Sequence, residues 1–162
     1  MRIHILNHGL RVMFFVLLAV PVMAEVSLNT SVQKVEIYLA ENGEQQTRLV
    51  SADEIIPGDE LKYVIEYSNE GDQPVDQGTI VITDPIPQST KYVPGTAFGS
   101  GTNISFSVDG GDSFATEAEL TVDRNGVELQ ASPEDYTTVR WIFGPMLEPG
   151  QTGHVSFNVV LK

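Results

Sequence analysis

Apolar residues return at every second position along most of this chain. In VQKVEIYLA (residues 32–40), Val35, Ile37 and Leu39 share one side, with Lys34, Glu36 and Tyr38 opposite. In ELKYVIEYS (60–68), Leu61, Tyr63, Ile65 and Tyr67 share one side, and Lys62, Glu66 and Ser68 lie opposite. TIVITD (79–84) is a short β-branched run, TTVRWIFG (137–144) alternates Val139, Trp141 and Phe143, and GHVSFNVVLK (153–162) alternates Val155, Phe157, Val159 and Leu161. Period two with one apolar face predicts half-buried antiparallel strands. Past residue 24 only residues 115–119 read as helical, and that stretch is too short to hold a helix against the strands around it.

Turn signals divide these runs: Pro57-Gly58, Asn69-Glu70-Gly71, Asp84-Pro85, Pro94-Gly95, Gly110-Gly111, Asn125-Gly126 and Pro149-Gly150. Proline followed by glycine suits a type II turn, because proline presets φ at the second position and glycine supplies positive φ at the third. PGDELKYVIEY and PGQTGHVSFNV reuse that device, and their apolar positions coincide: Tyr63 with Val155, Ile65 with Phe157, Tyr67 with Val159. Asn125-Gly126 suits a two-residue type I′ hairpin. The register that follows sets Val122 against Leu129, Leu120 against Ala131, and Asp123 against Glu128. The last pair is unfavourable by a fraction of a kcal/mol unless it is solvated, bulged apart or bridged by a cation. Many short strands at this spacing predict an all-β chain, an immunoglobulin-like antiparallel β-sandwich of about 7–9 strands.

The order of these signals resembles a known family, the bacterial conserved repeat domain. The matching residues are PGD (57–59) with Tyr63 after it, Asn69 and Gly71, TDPIP (83–87), YVPGT (92–96) and LEPGQ (147–151). They cover residues 55–162. The resemblance implies an immunoglobulin-like domain in an exported, often cell-surface setting, with no catalytic residues. Relatives often carry several copies in tandem and this chain carries one. Residues 25–54 precede the match and are expected to add an edge strand or two.

The first 24 residues read as a signal peptide. Arg2 and Arg11 supply positive charge, residues 12–24 the apolar run, and Val22-Met23-Ala24 the cleavage context ahead of Glu25. Pro21 interrupts a run already short of the roughly 20 residues a spanning helix needs. The expectation is one domain, residues 25–162, with no stable membrane insertion after cleavage. Losing Arg2 and Arg11 takes the formal charge from −13 to −15. Such a surface repels phosphate backbones and anionic lipid, so nucleic acid is not an expected partner. With no cysteine in the chain, packing alone must stabilise it.

The chemical inventory is sparse. His4 and His8 leave with the leader, so His154 is the one histidine of residues 25–162, at an outward strand position. No triad, zinc site, nucleophile elbow or phosphate loop can be assembled. Some pair among 22 acidic residues is always close, so a carboxylate-dependent hydrolase is only a second alternative. SVDGGDSF (107–114) resembles an Asp-box hairpin loop, in which Asp109 caps turn N–H groups and Phe114 packs beneath. Calcium held by Asp109 and Asp112 is the competing reading, with a thin ligand set. Trp141 falls in phase with the core; the placement of Tyr38, Tyr92 and Tyr136 is open, which leaves a carbohydrate-binding surface as the first alternative. The expected role is a non-catalytic structural or protein-interaction module in the periplasm, on the cell surface or outside the cell. It needs no cofactor, and its partner is another protein or a second copy.

Overall fold

Eleven strands and no helix make up residues 25–162, which a computed structural model describes; the predicted leader, residues 1–24, lies outside the described residues. The strands are β1 (Val26–Leu39), β2 (Gln45–Ser51), β3 (Glu60–Asn69), β4 (Val81–Pro85), β5 (Thr90–Tyr92), β6 (Phe98–Gly99), β7 (Thr102–Ser107), β8 (Thr121–Arg124), β9 (Val127–Gln130), β10 (Thr138–Phe143) and β11 (Thr152–Leu161). The six-stranded sheet runs β2-β1-β3-β11-β5, with β6 also on β11; the three-stranded sheet runs β4-β10-β7; β8 and β9 form a separate hairpin. Every pairing is antiparallel.

The two larger sheets face each other across one core, a sandwich-like arrangement. Val139 and Trp141 from β10 and Val155, Phe157 and Val159 from β11 are all 0% exposed, as the alternation predicts. Trp141 meets Phe157 across the layers at 5.9 Å between ring centroids. Leu61, Ile65 and Tyr67 of β3 join them, and Tyr63 stacks on Phe157 at 5.0 Å. The two segments that share a Pro-Gly entrance, β3 and β11, are direct neighbours, with Val155 opposite Ile65 and Phe157 opposite Tyr63.

The predicted turns form. Gly58, Gly95 and Gly150 have φ of 95°, 75° and 73°. Each turn closes with a backbone bond: Asp59 N to Ile56 O at 3.0 Å, Thr96 N to Val93 O at 3.3 Å, Gln151 N to Glu148 O at 3.0 Å. Asn125 and Gly126 adopt φ of 60° and 81°, and the β8–β9 register is the expected one, Val122 on Leu129 and Asp123 on Glu128. No bulge separates that acidic pair. Instead Asp123 turns back to accept from Gly126 N at 2.9 Å, and Glu128 accepts from Thr121 Oγ1 at 2.7 Å.

β1 departs from expectation. Val35, Ile37 and Leu39 do not face the core: Ile37 is 66% exposed and Leu39 71%. The register explains why. Leu28, Thr30 and Val32 lie opposite Tyr67, Ile65 and Tyr63, so the even positions share the inward face and the odd ones point out. Pairing with β3 stops at Val35, while pairing with β2 runs from Gln33 to Leu39. Beyond Val35 the two strands therefore continue as a hairpin without β3 beside it.

Candidate interaction surface

The Asp109 loop is built as a turn. Ser107 Oγ donates to Asp109 Oδ1 at 2.6 Å, and the Ser113 N–H donates to the same oxygen at 3.0 Å. Ser113 Oγ donates to Asp109 Oδ2, and Ser107 Oγ accepts the Gly111 N–H at 2.9 Å. Gly110 and Gly111 take positive φ, and Phe114 lies under the Arg140 guanidinium at 3.9 Å. Both carboxylate oxygens of Asp109 thus accept bonds from Ser107 and Ser113. Among the described residues no three acidic or histidine side chains gather as a metal cage.

These bonds, first that from Ser107 and then those from Ser113, hold the Asp109 carboxyl well below its ordinary range. A depressed pKa stabilises the fold above the unfolded value of about 3.9, and that contribution is lost as pH falls towards the folded value. Asp109→Asn therefore lowers the melting temperature most at neutral pH, and the gap to the parent narrows below about pH 4. Melting curves across pH check this. Calcium at millimolar concentration leaves the parent's melting temperature unchanged after chelator treatment.

Trp141, Tyr92 and Tyr136 belong to the interior. Trp141 is 0% exposed, Tyr92 2% and Tyr136 7%. Tyr92, Phe106 and Tyr136 form a cluster with ring centroids 4.9 to 5.6 Å apart. Tyr38 lies on the hairpin under Arg48, with its hydroxyl donating to Gln46 Oε1 at 2.9 Å. His154 points outward, as expected, and its ring lies 5.6 Å from Phe98, which is half exposed. The two sit near a polar groove of about 520 Å³ on the outer face of the larger sheet, lined by Asn29, Glu66, Ser68, Thr152 and His154 among others.

Asp84, part of the TDPIP stretch, is a feature the sequence pattern did not flag. It sits opposite Val139 on the inward side of β4, and its Oδ2 is buried without a hydrogen-bond partner. Trp141 Nε1 is buried and unpartnered too. Burial pushes the Asp84 carboxyl up from its ordinary range. A raised acid pKa costs stability as pH rises from the unfolded value through the folded one. Asp84→Asn is therefore expected to raise the melting temperature at neutral pH by more than at pH 3, a difference read by calorimetry at the two pH values.

Beside the Phe98–His154 groove, the unspent features are apolar side chains and a sheet edge. Ile37, Leu39 and Leu49 share the outer face of the β1–β2 hairpin, Leu49 lying opposite Val35. At the other end of β1, Val26 is 36% exposed and Leu28 57%. They line an apolar groove of about 250 Å³ with Val75, Ile80 and Val81. Residues 26–32 pair with β3 on one side only. The sequence held a signal for this edge, since no residue from 26 to 33 is charged in an otherwise acidic chain.

No family model, curated protein or solved structure matches this chain.

Proposed function

We propose that this chain is an exported, non-catalytic interaction module of immunoglobulin-like build, related to the bacterial conserved repeat domains. The observation that carries the reading is the division of labour among its side chains. The Asp109 loop, Trp141, Tyr92 and Tyr136 serve turns and core, while Ile37, Leu39 and Leu49 stand on a projecting hairpin with nothing packed over them among the described residues. Isolated exposed leucines are ordinary; an apolar row on a hairpin that leaves the body is a surface for protein contact. The family resemblance supports the build: its PGD, YVPGT and LEPGQ stretches each form a strand-entering or strand-leaving turn.

The test is site-specific photo-crosslinking in the chain's own host. A photoreactive residue at Ile37 or Leu39 is expected to give one discrete adduct that the same residue at exposed Glu148 does not give. A hydrolytic activity abolished by replacing a single carboxylate overturns the reading. Export is tested by the mass of the mature chain, expected to start at Glu25.

A second reading rests on Phe98 and His154. An exposed aromatic beside a polar groove is the arrangement that stacks a sugar ring and hydrogen-bonds its hydroxyls. It predicts retention on a polysaccharide affinity gel that Phe98→Ala abolishes.

A further inference from the structure

Three turns of this chain set a short side chain with a carbonyl carbon directly before a glycine of positive φ: Asn42-Gly43, Asp109-Gly110 and Asn125-Gly126. Glycine has no side chain to shield its backbone nitrogen. That nitrogen can attack the side-chain carbonyl carbon before it and close a five-membered imide. The reaction needs a free side chain, a leaving group and a base for the N–H proton. The three turns differ in all of these.

At Asn42 the amide is tied at both ends. Its Oδ1 accepts from Glu44 N at 3.1 Å, and its Nδ2 donates to Glu44 Oε2 at 2.7 Å. The Gly43 N–H donates to the Ala40 carbonyl at 2.9 Å, and a peptide carbonyl is no base at neutral pH. At Asp109 both carboxylate oxygens are bonded within the turn, and a carboxylate offers no leaving group. The Gly110 N–H donates to a hydroxyl, Thr137 Oγ1, at 2.9 Å.

Asn125 is different. It is exposed at the tip of the β8–β9 hairpin, and its side chain makes no hydrogen bond among the described residues. The Gly126 N–H donates to a carboxylate, Asp123 Oδ1, at 2.9 Å. Nucleophile and base therefore stand at the separation of an activated pair. Asn125 is also the one non-glycine of positive φ among the described residues, at 60°. That conformation strains an L-residue, and a main chain rerouted through the side chain is released from it.

We propose that Asn125 is a site of spontaneous deamidation, with Asp123 as its base and water as the co-reactant. Gly126 N bonds to Asn125 Cγ as its proton passes to Asp123. The Cγ–Nδ2 bond breaks, the proton returns to the departing nitrogen, and ammonia leaves behind a cyclic imide. Water then opens the ring. Attack at the side-chain carbonyl gives aspartate on an unchanged backbone. Attack at the main-chain carbonyl gives isoaspartate, whose backbone is longer by one methylene. No electrons are gained or lost. Either product adds a carboxylate to the hairpin that already carries Asp123 opposite Glu128. The longer backbone no longer fits a two-residue type I′ turn. Loosening there reaches the core, because Leu120 and Ala131 flank the hairpin and are bonded to each other at 2.8 Å. This chemistry is independent of what the β1–β2 hairpin binds.

The test is a time course of the purified chain in warm neutral buffer, read by peptide mass spectrometry at each Asn-Gly site, with isoaspartyl methyltransferase labelling to identify the longer backbone. In the folded chain Asn125 is expected to convert at least about ten-fold faster than Asn42. In urea the two rates should converge. Asp123→Asn keeps an oxygen to accept the Gly126 N–H and removes the base, so it is expected to slow Asn125 by a similar factor; Asp123→Glu should restore part of the rate. A purely structural Asp123 predicts the opposite, since losing a negative charge eases the approach of hydroxide. Asn125→Gly retains the positive φ and should leave only the slow reaction at Asn42. Circular dichroism shows whether each variant keeps its strands. An Asn42 that keeps pace with Asn125 in the folded chain overturns the proposal. So does an Asp123→Asn chain that deamidates as fast as the parent, or a preference for Asn125 that persists unchanged in urea.

Discussion

Asn69→Leu is expected to destabilise the protein by roughly 3 kcal/mol, read as a lowered denaturant midpoint at unchanged slope. Asn69 ends β3 and is 0% exposed. Its Nδ2 donates to the carbonyls of Gln73 at 2.8 Å and Leu147 at 3.0 Å, and its Oδ1 accepts from Gly71 N at 3.1 Å. Its backbone adds two bonds to the segment before β11, accepting from Gly150 N at 2.8 Å and donating to Gln151 O at 3.0 Å. Leucine matches the volume but removes all three side-chain bonds: the Gln73 carbonyl and the Gly71 amide lose this partner, the Leu147 carbonyl keeps only the Val75 N–H, and unmade buried bonds cost more than made ones contribute. Asn69→Asp is the sharper comparison. A carboxylate keeps the acceptor for Gly71 but faces two carbonyls with no donor. Its stability is expected to recover partly at low pH, where the protonated acid can donate to one of them.

Gly153→Val is expected to be comparably damaging, at about 3 kcal/mol or more, with Gly153→Ala somewhat milder. Gly153 lies directly opposite Tyr67, both on the inward face of their strands. A Cβ at residue 153 falls inside the van der Waals envelope of the Tyr67 ring and its hydroxyl oxygen. The ring has little room to swing away, being 3% exposed and 5.5 Å from Phe143 between centroids. The aromatic side chain thus occupies the space that the glycine leaves empty. A double-mutant cycle with Tyr67→Leu checks this origin. The smaller side chain should make Gly153→Ala nearly harmless, so the two changes together cost clearly less than their sum.

Much of this architecture is legible from alternation and turn chemistry alone. β3, β10 and β11 were readable because each carries one apolar set and one polar set in fixed phase. The β8–β9 register was readable because Asn-Gly restricts the turn type. β1 was misread for a physical reason. It carries two apolar sets in opposite phase, and the more regular one, Val35, Ile37 and Leu39, lies where no second layer covers it. The inward set, Val26, Leu28 and Val32, is interrupted by Thr30 and followed by Lys34. Period two says that a strand has two faces and not which one the core will claim. Tyr92 and Tyr136 escaped for other reasons: Tyr92 ends a three-residue strand too short to show a period, and Tyr136 precedes β10 out of phase with its Val139, Trp141 and Phe143 set. In the Asp109 loop the residues announced a turn, and both carboxylate oxygens are bonded inside that turn. The partnerless Oδ2 of Asp84 had no sequence signature, because Asp-Pro reads equally well as an exposed turn.

The placement of β11 has a consequence for the order in which this molecule can assemble. The strand follows all the others along the chain, yet it lies inside the larger sheet, with β3 on one side and β5 and β6 on the other. Its partner β3 precedes it by some ninety residues, so their pairing must close a long loop before it returns any stabilisation. Contacts of that span slow folding. Until β11 arrives, β3 keeps an open edge and Trp141 lacks the phenylalanine it packs against. A nascent chain that stops short of Thr152 therefore has no finished core to fall into. Among the described strands β11 is thus the one whose insertion completes both the larger sheet and the core.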